Sequence, residues 1–328
     1  MKPRAIVIDT DPGIDDAMAI AVALASPELE VVALTTTFGN HHVETTTANA
    51  QRVLDALGRP EVRVIPGAHR PLVRHGHAPA TTVHGEDGLG DAGLPSPSRP
   101  PVAGVHAAVH LAELVRSRPG EITLVPIGPL TNLALALRLD PGIADLVAGV
   151  VVMGGAVRAP GNVTPVAEAN IWNDPEAADI VLGASWPVTL LGLDVTRHLA
   201  ADRSWLDGIG ALDTPAARLV SDTAATYVDF HVATEGFDGI HCHDVATIVH
   251  LVRPDLVRTE PLAVRVVTTG LAAGQTIANV LGHRDPSWAE RPAVEVALGV
   301  DGGAVLDLVR ERLAVAPGTV PGTDHHQE

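Results

Sequence analysis

The chain has 328 residues, of which 46% are hydrophobic and 19% charged, a composition typical of a soluble globular protein. Its formal net charge of -17 argues against general binding to nucleic acids or to anionic membranes. The single cysteine, Cys242, excludes an intrachain disulfide framework. The apolar run at 5–8 is too short for a signal peptide and no run is long enough to span a membrane, so we expect a cytoplasmic protein.

Short β-branched runs alternate along the chain with longer runs rich in alanine and leucine. They predict strands at 5–8, 31–36, 62–65, 122–127, 150–153 and 188–193, and helices at 16–24, 45–57, 106–116, 130–139 and 175–182. The strand runs are continuously apolar, as in strands buried on both faces. This alternation predicts an α/β fold, a single-domain, open, mostly parallel, Rossmann-like sheet flanked by helices.

Two later regions depart from this alternation. Residues 70–101 are rich in Gly, Pro and His and are longer than an ordinary connection, which suggests a functional loop or flap. Residues 200–250 predict a helical insertion, with helices at 215–232 and 245–251. Segments 262–267 and 293–313 add strands and a last helix. We expect one domain over residues 1–315 and a disordered tail at 316–328.

Four carboxylates stand within eight residues directly after the first predicted strand. They are Asp9, Asp11, Asp15 and Asp16. Pro12 and Gly13 predict a tight turn that would fold these side chains towards one point. Oxygen-rich, sulfur-free surroundings favour calcium or magnesium over zinc. An acidic helix start stabilised by the helix dipole is the alternative, but it accounts only for Asp15 and Asp16.

Other polar clusters also follow predicted strands. They are Phe38-Gly39-Asn40, Gly128-Pro129-Leu130-Thr131-Asn132 and Gly154-Gly155. Ligands of parallel sheets bind beyond the carboxyl ends of the strands, so these clusters predict a site at that edge.

Two further groups carry candidate ligands. Asn162, Glu168 and Asn170 have side chains suited to sugar hydroxyls, although an ordinary polar loop would look the same. Asp244 opens a helix and is either an N-cap or a metal ligand. The preceding 241–243, His-Cys-His, could suggest zinc, but no second Cys or His pair stands at finger spacing.

Taken together, these segments resemble the inosine-uridine preferring nucleoside hydrolases over about residues 5 to 250. The resemblance is carried by residues 9–16, 38–40, 84–90 (His-Gly-Glu-Asp-Gly-Leu-Gly), 125–132, 153–155, 162–170, 174–178 and 243–244. It implies calcium-dependent hydrolysis of the N-glycosidic bond of purine or pyrimidine ribonucleosides, in nucleoside salvage. It also implies a homodimer or homotetramer.

The resemblance also implies a role for each matched residue. Asp11, Asp16, Asp244 and the backbone carbonyl of Ile127 would bind Ca²⁺, and Asp11 would also act as the general base. The residues that would hold the ribose hydroxyls are Asp15, Asn40, Asn162, Glu168 and Asn170.

At the base end, the resemblance is less complete. His243 matches a histidine that some members place near the leaving base, and His84 matches a second one. Trp172 would either stack on the base or lie in the core. The chain has Val245 where the family often has proline, and 237–242 lacks the tyrosine and arginine that members favouring inosine and uridine often have there. The base preference is therefore not predicted.

Two other functions fit part of the pattern. Asp9-Thr10-Asp11 imitates the nucleophile and acid of a haloacid-dehalogenase-like magnesium phosphatase, but that family normally has a threonine soon afterwards. A non-catalytic nucleoside or ribose binder would keep the ribose-binding residues but would not need a general base such as Asp11.

Overall fold

The computed structural model describes residues 2–315, in which a central sheet carries helices on both faces. The strands are β1 (Arg4–Thr10), β2 (Leu29–Thr36), β3 (Arg63–Pro66), β4 (Ile122–Pro126), β5 (Gly149–Met153), β6 (Val188–Leu191), β7 (Ala200–Asp202), β8 (Gly239–His241), β9 (Val257–Val266), β10 (Thr276–Ala278) and β11 (Ala293–Val300). The helices are α1 (Ile14–Leu24), α2 (Val43–Ala56), α3 (Thr81–His84), α4 (Ala107–Ser117), α5 (Thr131–Leu139), α6 (Ala169–Asn173), α7 (Pro175–Leu182), α8 (Leu193–Thr196), α9 (Arg203–Gly210), α10 (Pro215–Glu235), α11 (Val245–Val252) and α12 (Gly302–Leu313), with short 3-10 helices at Pro141–Asp145 and Pro254–Leu256.

The order of the strands places a site between β1 and β4. Within the described residues the large sheet has the order β10-β9-β11-β6-β5-β4-β1-β2-β3. Neighbours from β3 to β11 run parallel, whereas β9 is antiparallel to both of its neighbours. The chain leaves β1 towards β2 on one side and later returns to β4 on the other. Such a reversal opens a crevice at the carboxyl ends of the strands, where ligands of these sheets bind.

Both faces of the sheet are buried, as the apolar runs predicted. Ile6 and Ile8 of β1 belong to one hydrophobic cluster and Ala5 and Val7 to another. Alternate side chains of a strand point to opposite faces, so each cluster packs under its own layer of helices. Mostly parallel sheets are covered in this way because their crossover connections are helices.

Most of the predicted elements are confirmed with small shifts at their ends. The run at 188–193 was predicted as one strand, but β6 ends at Leu191 and α8 begins at Leu193. The region 200–250 was predicted as helical, yet it also contains β7 and β8, which pair antiparallel. Each of these strands has only three residues, and their pairing joins positions about 40 apart in sequence, such as Ala201 and Ile240. A pattern of local periodicity does not report such a contact.

The predicted loop at 70–101 is largely irregular and contains α3. It is anchored to the carboxyl edge of the sheet by Leu72, whose N–H donates to Asp174 Oδ2 at 2.9 Å, and by an ion pair between Arg74 and Glu176 at 2.7 Å. In the part of the chain that the structure describes, no helix has the length and apolarity to cross a bilayer. The predicted tail, 316–328, lies outside the described residues.

Candidate functional site

The turn after β1 buries its carboxylates at the crevice between β1 and β4. Asp11, Asp15 and Asp16 are each at most 6% exposed. Asp16 Oδ2 accepts a hydrogen bond from Gly13 N–H at 2.9 Å, and Asp16 Oδ1 accepts one from Thr10 Oγ1 at 2.5 Å. Asp15 and Asp16 lie in the first turn of α1, where the helix dipole favours negative charge. The positions of Asp15 and Asp16 are therefore compatible both with an acidic helix start and with a set of metal ligands.

Asp11 is held between two glycines. Its Oδ2 accepts a hydrogen bond from Asn40 N–H at 2.7 Å, and its buried Oδ1 has no partner among residues 2–315. A Cβ atom at Gly39 would overlap Oδ2, and one at Gly128 would overlap Oδ1. These two positions therefore need glycine for the Asp11 carboxylate to occupy its place. Asn40 Nδ2 adds a bond to Asp16 Oδ2 at 3.1 Å and so ties the carboxylates together.

A fourth carboxylate, that of Asp244, comes from a much later part of the chain. Asp244 occupies the N-cap position of α11, but its side chain makes no capping hydrogen bond. One carboxylate oxygen from each of Asp15, Asp16 and Asp244 lies within 4.8 Å of the others, a spacing that could hold a metal ion. The resemblance assigned Asp11 rather than Asp15 to the cation, whereas this closest group contains Asp15. We call Asp11, Asp15, Asp16 and Asp244 the aspartate cluster.

The surroundings of the aspartate cluster disfavour negative charge on its four carboxyl groups. Burial raises the pKa of Asp11, Asp16 and Asp244, and raises that of Asp15 to about 8. Repulsion adds to this effect, because the charge of Asp16 further raises the pKa of Asp11, Asp15 and Asp244. No lysine or arginine in the described part of the chain forms a salt bridge with any of the four. A divalent cation would supply the missing charge, and the all-oxygen donor set fits calcium or magnesium.

The remaining predicted ligand, the carbonyl of Ile127, follows β4 in the same crevice. Asn170 Nδ2 donates a hydrogen bond to this carbonyl at 2.8 Å. A carbonyl oxygen has two lone pairs, so this bond leaves one for another partner. The structure thus places a predicted cation ligand beside a predicted ribose ligand.

Glu168 and Asn170 are brought to the cluster by the turn at Gly155. Glu168 is the N-cap of α6, and its carboxylate accepts N–H bonds from Gly155, Asn170 and Ile171 at 2.9, 2.8 and 3.1 Å. Asn162 is different, since it lies in the exposed part of the loop, where its Oδ1 accepts from Ala169 N–H at 3.1 Å.

Asp9 lies behind the cluster rather than in it. Its Oδ1 accepts hydrogen bonds from Thr35 Oγ1 at 2.5 Å and from Asn132 Nδ2 at 2.8 Å. Burial raises the pKa of Asp9 to about 7, although these two bonds act in the opposite direction. Asn132 Oδ1 also accepts from Ala68 N–H at 2.9 Å. Asp9 and Asn132 therefore join the ends of β1, β2 and β3 beneath the site.

Histidine rings form a second wall of the site. His243 is buried, and its Nδ1 contacts Thr196 Oγ1 at 2.8 Å. His84 is also buried, and its Nδ1 accepts from Ile14 N–H at 3.3 Å, so the N-terminus of α1 and this ring are in contact. Burial lowers the pKa of His243 well below its ordinary value and that of His84 to about 4. Both rings are therefore neutral near pH 7.

The sequence analysis missed two histidines of this wall, His231 and His241, and the neighbouring Tyr227. Tyr227 and His231 of α10 have ring centroids 4.4 Å apart, and Tyr227 lies 5.6 Å from His84. His241 lies 5.0 Å from His231 and 5.7 Å from His243, also between centroids. We call His84, His231, His241 and His243 the histidine wall. Spacing of four residues between 227 and 231 was the available signal, because it puts both rings on one helix face.

Trp172 is neither fully buried nor in contact with the histidine wall. It is half-buried and stacks on His77, with ring centroids 3.5 Å apart. The loop at 70–101 therefore rests on this tryptophan.

Comparison with known proteins identifies this arrangement. A sequence profile described as "Inosine-uridine preferring nucleoside hydrolase" matches residues 6–307. The chain belongs to this family. Uridine nucleosidase 1 of Arabidopsis thaliana is 41% identical over 315 residues, covering 95% of this chain and 94% of that protein.

Solved structures agree with the family membership of this nucleoside hydrolase. A plant nucleoside hydrolase, the PpNRh1 enzyme, superposes with a TM-score of 0.93 at 39% identity, covering 95% of this chain and 99% of that one. A purine-preferring ribonucleoside hydrolase from Gardnerella vaginalis has a TM-score of 0.88 at 33% identity, covering 95% and 98%. The protein is thus an enzyme that hydrolyses the N-glycosidic bond of ribonucleosides. Its family is in general metal-dependent, which agrees with the aspartate cluster.

Proposed function

We propose that this enzyme converts ribonucleosides to ribose and free base with a Ca²⁺ ion bound at the aspartate cluster. The observation that carries the proposal is the burial of four carboxylates with no basic side chain paired to them within residues 2–315. Bringing like charges together in a buried site is unfavourable unless a cation offsets them. Oxygen ligands without sulfur or nitrogen favour Ca²⁺ over zinc.

The cation would be held by Asp11, Asp16, Asp244 and the carbonyl of Ile127. Such a cation supplies a Lewis acid that makes a water molecule more acidic. Asp11 Oδ1 is the atom that accepts the proton of the attacking water, because it is the carboxylate oxygen that has no partner in the described chain. Its other oxygen is held by Asn40 N–H, which fixes the orientation of the base.

The ribose would be bound by Asp15, Asn40, Asn162, Glu168 and Asn170. Asp15 lies beside Asp16 and Asp244, so a hydroxyl bound to Asp15 lies next to the cation site. Glu168 already accepts three N–H bonds, and a carboxylate has about four acceptor positions, which leaves one for a hydroxyl.

These groups would also stabilise the breaking bond. Cleavage of a glycosidic bond gives the sugar oxocarbenium character. Carboxylate and amide oxygens that are fixed before the reaction stabilise positive charge on the ribose without having to reorient. The fixed bonds of Glu168 and Asp11 therefore contribute to the rate as well as to binding.

The leaving base would meet the histidine wall. In the tautomer in which His243 Nδ1 accepts from Thr196 Oγ1–H, the neutral ring carries its N–H on Nε2, and this N–H would donate a hydrogen bond to the base as it leaves with negative charge. His84 would contact the base from the neighbouring face. These assignments take their support from the burial and the contacts of both rings.

The test is release of reducing sugar from a panel containing uridine, inosine, adenosine and cytidine. We expect ribose from at least one of them, loss of activity with a calcium chelator and recovery on adding Ca²⁺. Bound cation should also raise the free energy of unfolding, by about 2.7 kcal/mol at 100 times its Kd. Absence of ribose from every nucleoside would refute the hydrolase assignment, and full activity in the chelator would refute the calcium site.

The assembly and the limits of the domain are also proposals. We propose that residues 1–315 fold as one catalytic unit and that this unit forms a homodimer or homotetramer. Light scattering of the full chain tests the assembly, because a monomer would contradict it.

A further inference from the structure

A second group of ligating side chains lies where the end of α10 meets β8. His231 and Glu235 are four residues apart on α10 and therefore share a helix face. His241 on β8 lies opposite them. One ligating atom from each of the three lies within 4.8 Å of the others. We call these residues the His231 group. It shares no residue with the aspartate cluster, although His231 and His241 also belong to the histidine wall.

The His231 ring is held in the form that binds metals. Its Nδ1 lies 2.8 Å from the carbonyl oxygen of Tyr227, and a carbonyl only accepts, so Nδ1 carries the proton. The lone pair of the neutral ring is therefore on Nε2. Metal-binding histidines usually donate their other ring N–H to a carbonyl or carboxylate in this way, which fixes the tautomer before the metal arrives.

His241 also has a nitrogen without a protein partner. Its Nε2 lies 3.0 Å from Glu235 Oε2, whereas its Nδ1 is buried and accepts no hydrogen bond within residues 2–315. A buried polar atom without a partner is unfavourable in a folded protein. This ring therefore has one lone pair that the described chain leaves unused, while its other nitrogen contacts the Glu235 carboxylate.

The chemistry of the group differs from that of the aspartate cluster. Two imidazoles and one carboxylate suit zinc and similar transition metals, whereas calcium prefers oxygen ligands alone. The side chain of Glu235 is 44% exposed, so an ion can enter from solvent. We propose that His231, Glu235 and His241 form a binding site for a zinc-type cation, separate from the aspartate cluster and with one coordination position left for water.

The sequence around His241 contains only part of a zinc-binding pattern. The stretch 241–243 contains two histidines around a cysteine, yet no further pair stands at the spacing of a zinc finger. The structure pairs His241 instead with His231 and Glu235, which precede it on a helix. His231 and Glu235, four residues apart on one helix face, thus provide the ligands that a second Cys or His pair provides in a zinc finger.

The test is calorimetric titration of the metal-free full chain with Zn²⁺ in excess Ca²⁺, which fills the aspartate cluster first. His325 and His326 are changed to glutamine in every sample, because two adjacent histidines can bind zinc by themselves. We expect one zinc per chain. His231→Gln and His241→Gln each remove a direct ligand. Each should weaken zinc binding by more than the roughly 10–100-fold that loss of a supporting residue typically costs. Co²⁺ in place of Zn²⁺ should give the visible spectrum of a four-coordinate site.

Two variants keep the result interpretable. Glu235→Gln changes an exposed side chain, so it tests the site even if a histidine variant does not fold. His198→Gln changes an exposed histidine elsewhere and should bind zinc as the unchanged protein does. Equal zinc affinity in the parent protein, His231→Gln and Glu235→Gln would overturn the proposal, as would no zinc uptake by the parent. Neither result would affect the proposed hydrolysis, since ribose release is measured separately.

Discussion

The two walls of the site are built in different ways. The aspartate cluster is oriented by backbone N–H groups and hydroxyls at strand ends, as in the bonds of Asp11 to Asn40 and of Asp16 to Gly13. The histidine wall is assembled from side chains of α3, α10, β8 and the start of α11, mainly through contacts between rings. Backbone donors leave a carboxylate little freedom, whereas packed rings can be exchanged without altering the sheet. The end of the site proposed for the cation and the ribose is therefore held firmly by the backbone, and the end proposed for the base is the part that sequence variation can change.

The largest effect is expected when the proposed general base, Asp11, is removed. Asp11→Asn keeps the shape of the side chain but cannot accept the proton of the water, so we expect turnover to fall at least about 1,000-fold. Ribose release measures the effect, and circular dichroism reports the fold. Asp213→Asn, a change at an aspartate whose side chain is 95% exposed, should leave turnover unchanged. Turnover above a tenth of the parent value in Asp11→Asn would remove Asp11 from this role.

A change that moves the same carboxylate without altering it should have the next largest effect. In Gly128→Ala the new Cβ would overlap Asp11 Oδ1, so the base must shift, and a displacement near 1 Å can cost about 100-fold in rate. The matched control is Gly149→Ala, whose Cβ would meet its nearest neighbour, Pro187 O, at an ordinary 3.8 Å. We expect near-normal ribose release from the control. Similar rates for both variants would show that the Asp11 position is adjustable.

The histidine wall should respond differently, because we propose that it contacts the leaving base. His243→Ala should slow hydrolysis of uridine and inosine by about 100-fold, the low end of the range for removing one hydrogen-bond donor from a developing anion. A riboside with p-nitrophenolate as leaving group departs as a stable anion without such a donor, so it should be cleaved at nearly the parent rate. Calcium affinity, measured by titration, should not change. Equal slowing of both substrates would place His243 with the rigid wall instead.

The smallest effect is expected for the residue that positions His243. Thr196→Val removes the hydroxyl 2.8 Å from His243 Nδ1 while keeping the branched shape of the side chain. One hydrogen bond of about 1 kcal/mol corresponds to roughly a fivefold loss in kcat on nucleosides. The pH profile of kcat should also move, since the ring loses its partner. An unchanged rate and an unchanged profile would show that packing alone orients this ring.

The same contrast explains what the sequence could predict. The strands were found because both faces of the sheet are buried, and the site at their ends follows from the geometry of parallel strands. The predicted strand at 5–8 is nevertheless shorter than β1, which continues through Asp9 and Thr10. Their side chains are polar and buried, and they form hydrogen bonds with Thr35 and Asp16. Hydrophobic pattern alone does not report burial that depends on distant partners.

The histidine wall was harder to predict because its members belong to separate elements. Tyr227 and His231 lie within a long helix whose pattern gives its extent but not its neighbours. The strand that carries His241 has three residues, and its position follows from pairing with β7 rather than from a local signal. Contacts between α10, β8 and α3 therefore had to come from the structure.

The distance along the chain between Asp11 and Asp244 has a consequence for how the protein is made. Proteins emerge from the ribosome from the N-terminus, so the first three carboxylates of the aspartate cluster are synthesised long before the fourth. A cation that needs all of them can be captured only after β8 has formed and α11 has begun. Metal affinity would then report completed folding, and a chain that stops short of residue 244 would remain without this stabilisation.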